Sequence, residues 1–163
     1  MQRKTTRNSF DNVSALLDAT NLELLKALID DPRIAMSSLA RHVGMSAPAV
    51  TERVQRLQDA GVIRGARLDV DQAALGLGIT AFVRVRPMPG QLQNIAELAR
   101  ETPEIVECHR ITGEDCFILK MHLESLDVLD GALDEFLAYG QTTTSIIQSS
   151  PVPPRALPLP GGL

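Results

Sequence analysis

The spacing of apolar residues changes near residue 79 and divides the chain into two regions. Before this point, apolar side chains recur at three- and four-residue intervals, the spacing of an amphipathic helix, as at Leu22, Leu25, Leu28 and Ile29. After it, apolar residues occupy alternate positions, as at Ile79, Ala81, Val83 and Val85, which is typical of a half-buried strand. A chain of 163 residues is long enough for two small domains. We therefore expect a helical domain followed by an α/β domain, an α+β chain overall.

Capping residues divide the first region into three helices. Serine, threonine and aspartate favour helix starts, whereas glycine favours helix ends because it adopts the left-handed conformation. The predicted helices run from Asp18 or Thr20 to Asp31, from Ser37 to Gly44, and from Ser46 to Gly61.

A two-stranded wing is predicted after the third helix. Two short extended segments, Val62–Ile63 and Ala66–Val70, flank Arg64-Gly65, which has the composition of a tight turn. Residues 71–76 then predict a short helical turn, and Gly76 with Gly78 predicts a hinge within 71–78. Three helices and a wing are the parts of a winged helix-turn-helix.

Charge is divided unevenly between the two regions, although the chain has a net charge of −4. Residues 1–70 carry ten Lys and Arg against eight Asp and Glu, whereas residues 71–163 carry six against twelve. Residues 33–67 contain six arginines and only two acidic residues. A local basic surface in an acidic protein suits contact with nucleic-acid phosphates.

The third helix is the predicted recognition helix, which would enter the major groove of double-stranded DNA. Small residues at its start would let it approach the bases, and arginines can bind phosphates or guanine edges. The candidate DNA-binding residues are Ser46, Ala47, Pro48, Ala49, Thr51, Glu52, Arg53 and Arg56, together with Arg41 and Arg64. The residues do not decide which arginine reads a base.

The second region predicts the element order βαββαβ, a ferredoxin-like arrangement. The predicted strands begin at Ile79, at Ile105 (to Thr112), at Phe117, and at Thr142 (to Ser149), and the two helices lie before Pro103 and after Ser125. Both helices are predicted to pack on one face of the sheet. Apolar alternation on several strands predicts that a second copy covers the other face, giving a homodimer.

Two runs of residues resemble the leucine-responsive/asparagine-regulator (Lrp/AsnC) family of transcription regulators. The runs are 39–46 with 50–57 and 61–63 in the first region, and 112–120 with 142–147 in the second. The resemblance covers about 17–150, and it implies a regulator that assembles through its second domain into dimers, and further into tetramers or octamers.

The resemblance also implies an effector site for an amino acid in the second domain. By position in the family pattern, this site comprises Gly113, Glu114, Asp115 and Cys116 in a turn and Thr142, Thr143 and Thr144 at the opening of the last strand. Turn oxygens can bind an ammonium group, and threonine hydroxyls can bind a carboxylate. Many members carry the acidic residue one position later, where this chain has Cys116.

The full predicted organisation has five parts, with a cytoplasmic location and no membrane segment or cofactor other than the effector. They are a flexible arm (1–16), a winged helix-turn-helix (17–70), a hinge (71–78), the ferredoxin-like effector and dimerisation domain (79–150), and a proline-rich tail (151–163).

The main alternative function is an architectural or weakly specific DNA-binding protein whose second domain chiefly drives assembly. A metal site at Cys108, His109, Cys116 and His122 is disfavoured, because alternation points neighbouring strand residues to opposite faces. An enzyme is also disfavoured, since the chain carries none of the common catalytic motifs.

Overall fold

A computed structural model describes residues 16–160. The described residues form two compact units: one contains 16–68 together with 154–160, and the other contains Asp69–Pro153. The predicted N-terminal arm lies outside the described residues except for Leu16. Within the described part of the chain, no helix is both long and apolar enough to cross a bilayer.

The first unit is built on three helices: α1 (Ala19–Asp30), α2 (Met36–His42) and α3 (Ala47–Asp59). The caps predicted at Asp18 and Ser46 are confirmed, because their side chains accept hydrogen bonds from the backbone N–H groups of Asn21 and Ala49. The helices enclose one apolar cluster, whose buried members are Leu24, Leu39, Ala40, Val50 and Val54.

Helix α2 begins before the predicted cap, so the prediction that Ser37 caps it is wrong. Its N-cap is Ala35, which makes no side-chain capping hydrogen bond, although its carbonyl accepts from the backbone N–H groups of Ser38 and Leu39. Met36, the first residue of α2, and Val43, its C-cap, both pack against the apolar cluster that contains buried Leu39.

The two segments predicted to form the wing are not paired as strands. The backbone N–H groups of Val62 and Ile63 donate to the carbonyl of Leu57, at 2.9 and 3.1 Å, so they close α3 after Gly61, which has a φ of +73°. Residues 64–70 are exposed, and no strand is assigned between 61 and 78. An isolated two-stranded hairpin is marginally stable in water.

The second unit has the predicted order βαββαβ. Its elements are β1 (Ile79–Pro87), α4 (Leu92–Glu101), β2 (Ile105–Arg110), β3 (Phe117–Leu123), α5 (Leu126–Leu137) and β4 (Gly140–Ile146), and a 3₁₀ turn (Ala73–Leu75) precedes them. The sheet order is β2-β3-β1-β4, with all neighbours antiparallel. This is the ferredoxin-like arrangement.

The limits of β4 and β2 differ from the predictions, because pairing with the neighbouring strand sets where β4 starts and where β2 ends. β4 starts at Gly140, opposite Pro87, and ends at Ile146, opposite Ala81, instead of running over 142–149. β2 ends at Arg110 rather than at Thr112, where the hairpin to β3 begins.

The apolar alternation of β1 and β3 is satisfied on one face of the sheet. Ala81, Val83 and Val85 on β1 pack with Leu119 and Met121 on β3, under the two helices. The opposite face, called here the outer face, carries mixed residues, namely Thr80, Phe82, Arg84, Arg86, Ile118, Lys120 and His122. The alternation that predicted a covered outer face is therefore accounted for by the helices of the same chain.

Candidate functional sites

Helix α3 presents a buried face and an exposed face. Val50, Val54 and Leu57 are buried, and Leu57 is fully inaccessible. The turn from α2 into α3 passes through Gly44, whose φ of +66° places it in the left-handed region that glycine adopts readily. The backbone N–H of Met45 then donates to the carbonyl of Ala40 at 2.9 Å, which closes the turn.

Most of the predicted DNA-binding residues lie on the exposed face of α3. Ser46, Pro48, Thr51, Glu52 and Arg56 are exposed, whereas Ala47 and Ala49 are partly buried. The hydroxyl of Thr51 donates to the carbonyl of Ala47 at 2.9 Å, which holds the side chain against the helix backbone. This face offers small side chains near the start of α3 and a guanidinium two turns later.

Arg53 is held inside the unit and does not project freely. Its Nη1 donates to Oδ2 of Asp18 at 2.7 Å and to Oδ1 of Asn21 at 3.1 Å. Asn21 is only 4% exposed, and its amide nitrogen donates to the carbonyl of Leu16 at 2.7 Å. The structure thus gives Arg53 a role in fastening α3 to the start of α1.

A change of Asp18 to asparagine tests this connection, because asparagine can still cap α1. The hydrogen bond from Arg53, followed by that from the Asn21 backbone, lowers the pKa of Asp18 below its usual 3.8. A lowered pKa means that the ionised carboxylate stabilises the fold above this usual value and loses that effect as the pH falls through the folded-state pKa. Because the pair is partly solvated, Asp18→Asn should cost less than about 1 kcal/mol at pH 7.

Urea unfolding of the wild type and of Asp18→Asn, at pH 7 and in steps below pH 4, measures this effect. The difference in the free energy of unfolding should shrink as the solution becomes more acidic. A difference that is independent of pH would contradict the assigned ion pair.

The other predicted arginines of the first unit are exposed. Arg56 forms an i,i+4 ion pair with Glu52 on the surface of α3, and Arg41 donates to the hydroxyl of Ser38 at 3.2 Å. Arg64 is exposed just after α3. Surface pairs of this kind are worth little, so these guanidiniums can exchange their partners for phosphates at small cost.

The predicted effector turn joins β2 to β3. Gly113 has a φ of +111°, and Cys116 has a φ of +52°, the left-handed region that is uncommon for residues other than glycine, asparagine and aspartate. The backbone N–H of Ile111 donates to the carbonyl of Cys116 at 2.8 Å and closes the turn. Cys116 also packs against the core of the second unit.

Strain at Cys116 can be measured with a pair of small substitutions. Both Cys116→Ala and Cys116→Gly remove the sulfur atom, but only alanine retains a Cβ in the left-handed conformation. Since this conformation costs about 1–2 kcal/mol for an L-residue, the glycine variant should be the more stable by about 1 kcal/mol in thermal or urea unfolding. At an unstrained position the order is the reverse, so an alanine variant of equal or higher stability would disprove the strain.

The three predicted threonines do not share one face of the sheet. Thr142 and Thr144 lie opposite Val85 and Val83, which are buried, and so belong to the helix-covered face. Thr143 lies opposite Arg84 and is exposed on the outer face. Directly opposed residues in an antiparallel pair share a face, so only Thr143 accompanies Arg84 there.

Two arginines that sequence reasoning missed lie beside the effector turn. Nη1 of Arg84 lies 3.5 Å from Oδ2 of Asp115, and Nε of Arg86 lies 3.7 Å from Oδ1 of the same carboxylate. Nη2 of Arg86 lies 2.6 Å from Oε2 of Glu114. Alternation on β1 could have identified them, because buried Val83 and Val85 place their neighbours on the outer face.

Other titratable groups of the second unit form small local networks. The hydrogen bond with His109 lowers the pKa of Glu107, and Lys120 lowers it further. Burial lowers the pKa of His122, whose Nδ1 lies 2.9 Å from the Thr80 hydroxyl, and burial raises the pKa of the Cys108 thiol. A raised thiol pKa leaves little thiolate, so Cys108 is a poor nucleophile.

Comparison with known proteins agrees with the two units. Residues 17–64 match the family described as "Winged helix-turn-helix DNA-binding", and residues 80–157 match the "Lrp/AsnC ligand binding domain". The chain thus combines a DNA-binding domain with a ligand-binding domain, and both predicted folds are confirmed.

Individual relatives extend over most of the chain. LrpC of Bacillus subtilis, an HTH-type transcriptional regulator, is 34% identical over 133 residues, which are 82% of this chain and 92% of LrpC. The structure of LrpC superposes with a TM-score of 0.78, covering 82% of this chain and 96% of that one. The leucine-responsive regulatory protein of Rhizobium meliloti is 38% identical over 113 residues, 68% of this chain and 72% of its own.

A fold of this kind is also found in the transcriptional regulator NMB0573 of Neisseria meningitidis, solved as a complex with L-Met. Its TM-score is 0.77 at 23% identity, covering 85% of this chain and 94% of that one. These findings define a regulator of transcription rather than an enzyme. The chain belongs to the Lrp/AsnC family.

Proposed function

We propose that this protein is a sequence-specific transcription regulator whose DNA binding responds to a small-molecule effector, an amino acid. The observation that carries the DNA half is the geometry of α3: a helix capped by Ser46, with its apolar face buried and with Thr51 and Arg56 exposed on the other side. Such a helix can enter the major groove while its buried face keeps contact with the rest of the unit.

In this proposal α3 supplies most of the contacts with DNA. Ser46, Ala47, Pro48 and Ala49 form the closely approaching start, and Thr51, Glu52 and Arg56 the exposed face. Arg41 and Arg64 contribute contacts from outside α3, since both are exposed. Arg53 serves chiefly to hold α1 against α3, through Asp18 and Asn21.

The effector half of the proposal rests on the turn at 113–116 and the neighbouring strand β4. The match of 80–157 to a ligand-binding domain supports a small-molecule site in this unit. Thr143 on β4 lies opposite Arg84 and is exposed, and the turn residues Asp115 and Glu114 contact Arg84 and Arg86 from the other side of β1. This arrangement supports an effector site on the outer face. Thr142 and Thr144 lie on the helix-covered face, and their role is structural, as part of β4.

We further propose a functional division into 17–70 for DNA binding, 71–78 as hinge and 79–150 for effector binding and assembly. Two copies would pair through their second domains, and dimers would assemble further into tetramers or octamers. Phe82, 38% exposed on the outer face, and Val106, 51% exposed on β2, are apolar side chains that a partner copy could cover.

Fluorescence anisotropy on the DNA upstream of the protein's own gene, with excess unrelated DNA and with or without a mixture of amino acids, tests the proposal. Affinity for the upstream DNA should exceed that for unrelated DNA by at least about a thousandfold, and the mixture should shift it. Binding that the competitor abolishes, with no response to amino acids, would instead indicate an architectural protein that contacts mainly phosphates.

A further inference from the structure

The arginine pair on the outer face indicates which kind of effector this site accepts, and this step rests on the proposed function. Arg84 and Arg86 project from alternate positions of β1 and are each half exposed. A guanidinium carries five N–H donors. The ion pairs with the turn use Nη1 of Arg84 and Nε and Nη2 of Arg86, which leaves further N–H donors on both side chains outside these ion pairs.

The two carboxylates of the turn play different parts in this cluster. Asp115 is 26% exposed and places one oxygen near each arginine, so it holds the two guanidiniums side by side. Glu114 is 79% exposed and touches Arg86 alone. Because exposed ion pairs contribute little to stability, Glu114 can leave Arg86 at small cost, whereas Asp115 serves as a positioning residue.

We propose that Arg84 and Arg86 determine effector specificity by binding a side-chain carboxylate of the effector in the place that Glu114 occupies. The effector class is therefore an acidic amino acid. The carboxylate would receive charge-assisted hydrogen bonds in the planar geometry that guanidinium groups favour.

An exchange of carboxylates supports an acidic effector over a neutral one. In the free protein the two guanidiniums are balanced by the carboxylates of Asp115 and Glu114. An effector whose side chain carries a carboxylate can replace Glu114 and keep that balance. A neutral side chain that displaced Glu114 would leave Arg86 without this anionic partner.

Isothermal titration of the full-length protein with L-glutamate, L-aspartate, L-glutamine and L-leucine tests the inference. Glutamine has nearly the shape of glutamate without its side-chain charge, so it is the matched probe. We expect glutamate or aspartate to bind at least tenfold more tightly than glutamine and leucine. Leucine or glutamine binding as tightly as the acidic pair, and shifting DNA affinity, would overturn the inference and leave the proposed function standing. Absence of binding by all four would overturn the inference, whereas the proposed function fails only if the full amino-acid mixture also leaves DNA binding unchanged.

Three variants of the cluster and one control variant test whether the preference for acidic amino acids arises at this cluster. Arg86→Gln and Arg84→Gln should each reduce the affinity for the acidic amino acid at least tenfold and leave glutamine binding unchanged, with circular dichroism to verify folding. Glu114→Gln removes the internal competitor and should raise that affinity by about two- to fivefold. Arg110→Gln is the control, because Arg110 lies over the ring of Phe117, at 5.8 Å, on the helix-covered face. If both arginine variants still bound the acidic amino acid at least tenfold more tightly than glutamine, the assignment would be contradicted.

Discussion

Replacing Gly140 with alanine is expected to lower the free energy of unfolding of the second unit by about 2–3 kcal/mol. Gly140 is buried at the start of β4, directly opposite Pro87 in the ladder with β1. A Cβ at this position would collide with the backbone carbonyl oxygen of Arg86. The colliding atom belongs to the backbone of β1, which cannot turn aside as the end of a flexible side chain can, so this end of the β1–β4 ladder would have to separate.

Gly131→Ala is the matched control, since it makes the same chemical change in the same unit. Gly131 lies inside α5, and a Cβ there would meet no atom within 4 Å. Because alanine favours helix over glycine, this variant should be more stable by about 0.5–1 kcal/mol. Urea denaturation of both variants measures the contrast. Equal stability of Gly140→Ala and the wild type would mean that β1 and β4 are not as close as described.

Replacing Arg56 with alanine should weaken binding to the specific DNA site by about 1–3 kcal/mol, which is roughly 5- to 150-fold. Arg56 is exposed on α3, and its partner in the free protein is Glu52, on the same helix surface. An i,i+4 pair of this kind stabilises a helix by only a few tenths of a kcal/mol, so DNA can replace Glu52 as the partner. The fold should be almost unaffected.

Anisotropy at several salt concentrations distinguishes the two possible roles of Arg56. If it binds a phosphate, Arg56→Ala should weaken binding to all sequences alike and reduce the salt slope by about one. If it reads a base, the loss should be confined to the specific site. Lys26→Ala removes another exposed cation, from α1, and serves as the control. If Lys26→Ala lowered the affinity for DNA as much as Arg56→Ala does, the overall positive charge, and not the position of Arg56 on α3, would be responsible.

The helix-turn-helix could be predicted in detail because its signals are local. Asp18 and Ser46 cap helices through hydrogen bonds to residues three positions later, and Gly44 and Gly61 adopt the left-handed conformation that suits glycine. Each of these interactions spans a few residues. The start of α2 could not be predicted in this way, because its N-cap is Ala35, which makes no side-chain capping hydrogen bond and therefore leaves no local signal.

The proposed effector site was predicted less completely because its parts come from separate strands. The turn at Gly113 and the threonines of β4 were identified by resemblance, but their spatial relation depends on β1, which lies between β3 and β4 in the sheet. Strand order is set by the packing of helices on the sheet and by pairing between distant segments. It also explains why Thr143 faces Arg84 while Thr142 and Thr144 face the core.

By itself, the sequence determined the division into two units, the three helices of the first and the order βαββαβ of the second, since periodicity, caps and turns act between near neighbours. Only the tertiary structure decided which charges meet. It joined Arg53 to Asp18, 35 residues away, and set Arg84 and Arg86 against the carboxylates of a turn that follows another strand. Such contacts depend on register and on the path of the chain, because side chains far apart in sequence become neighbours only when the backbone between them has folded.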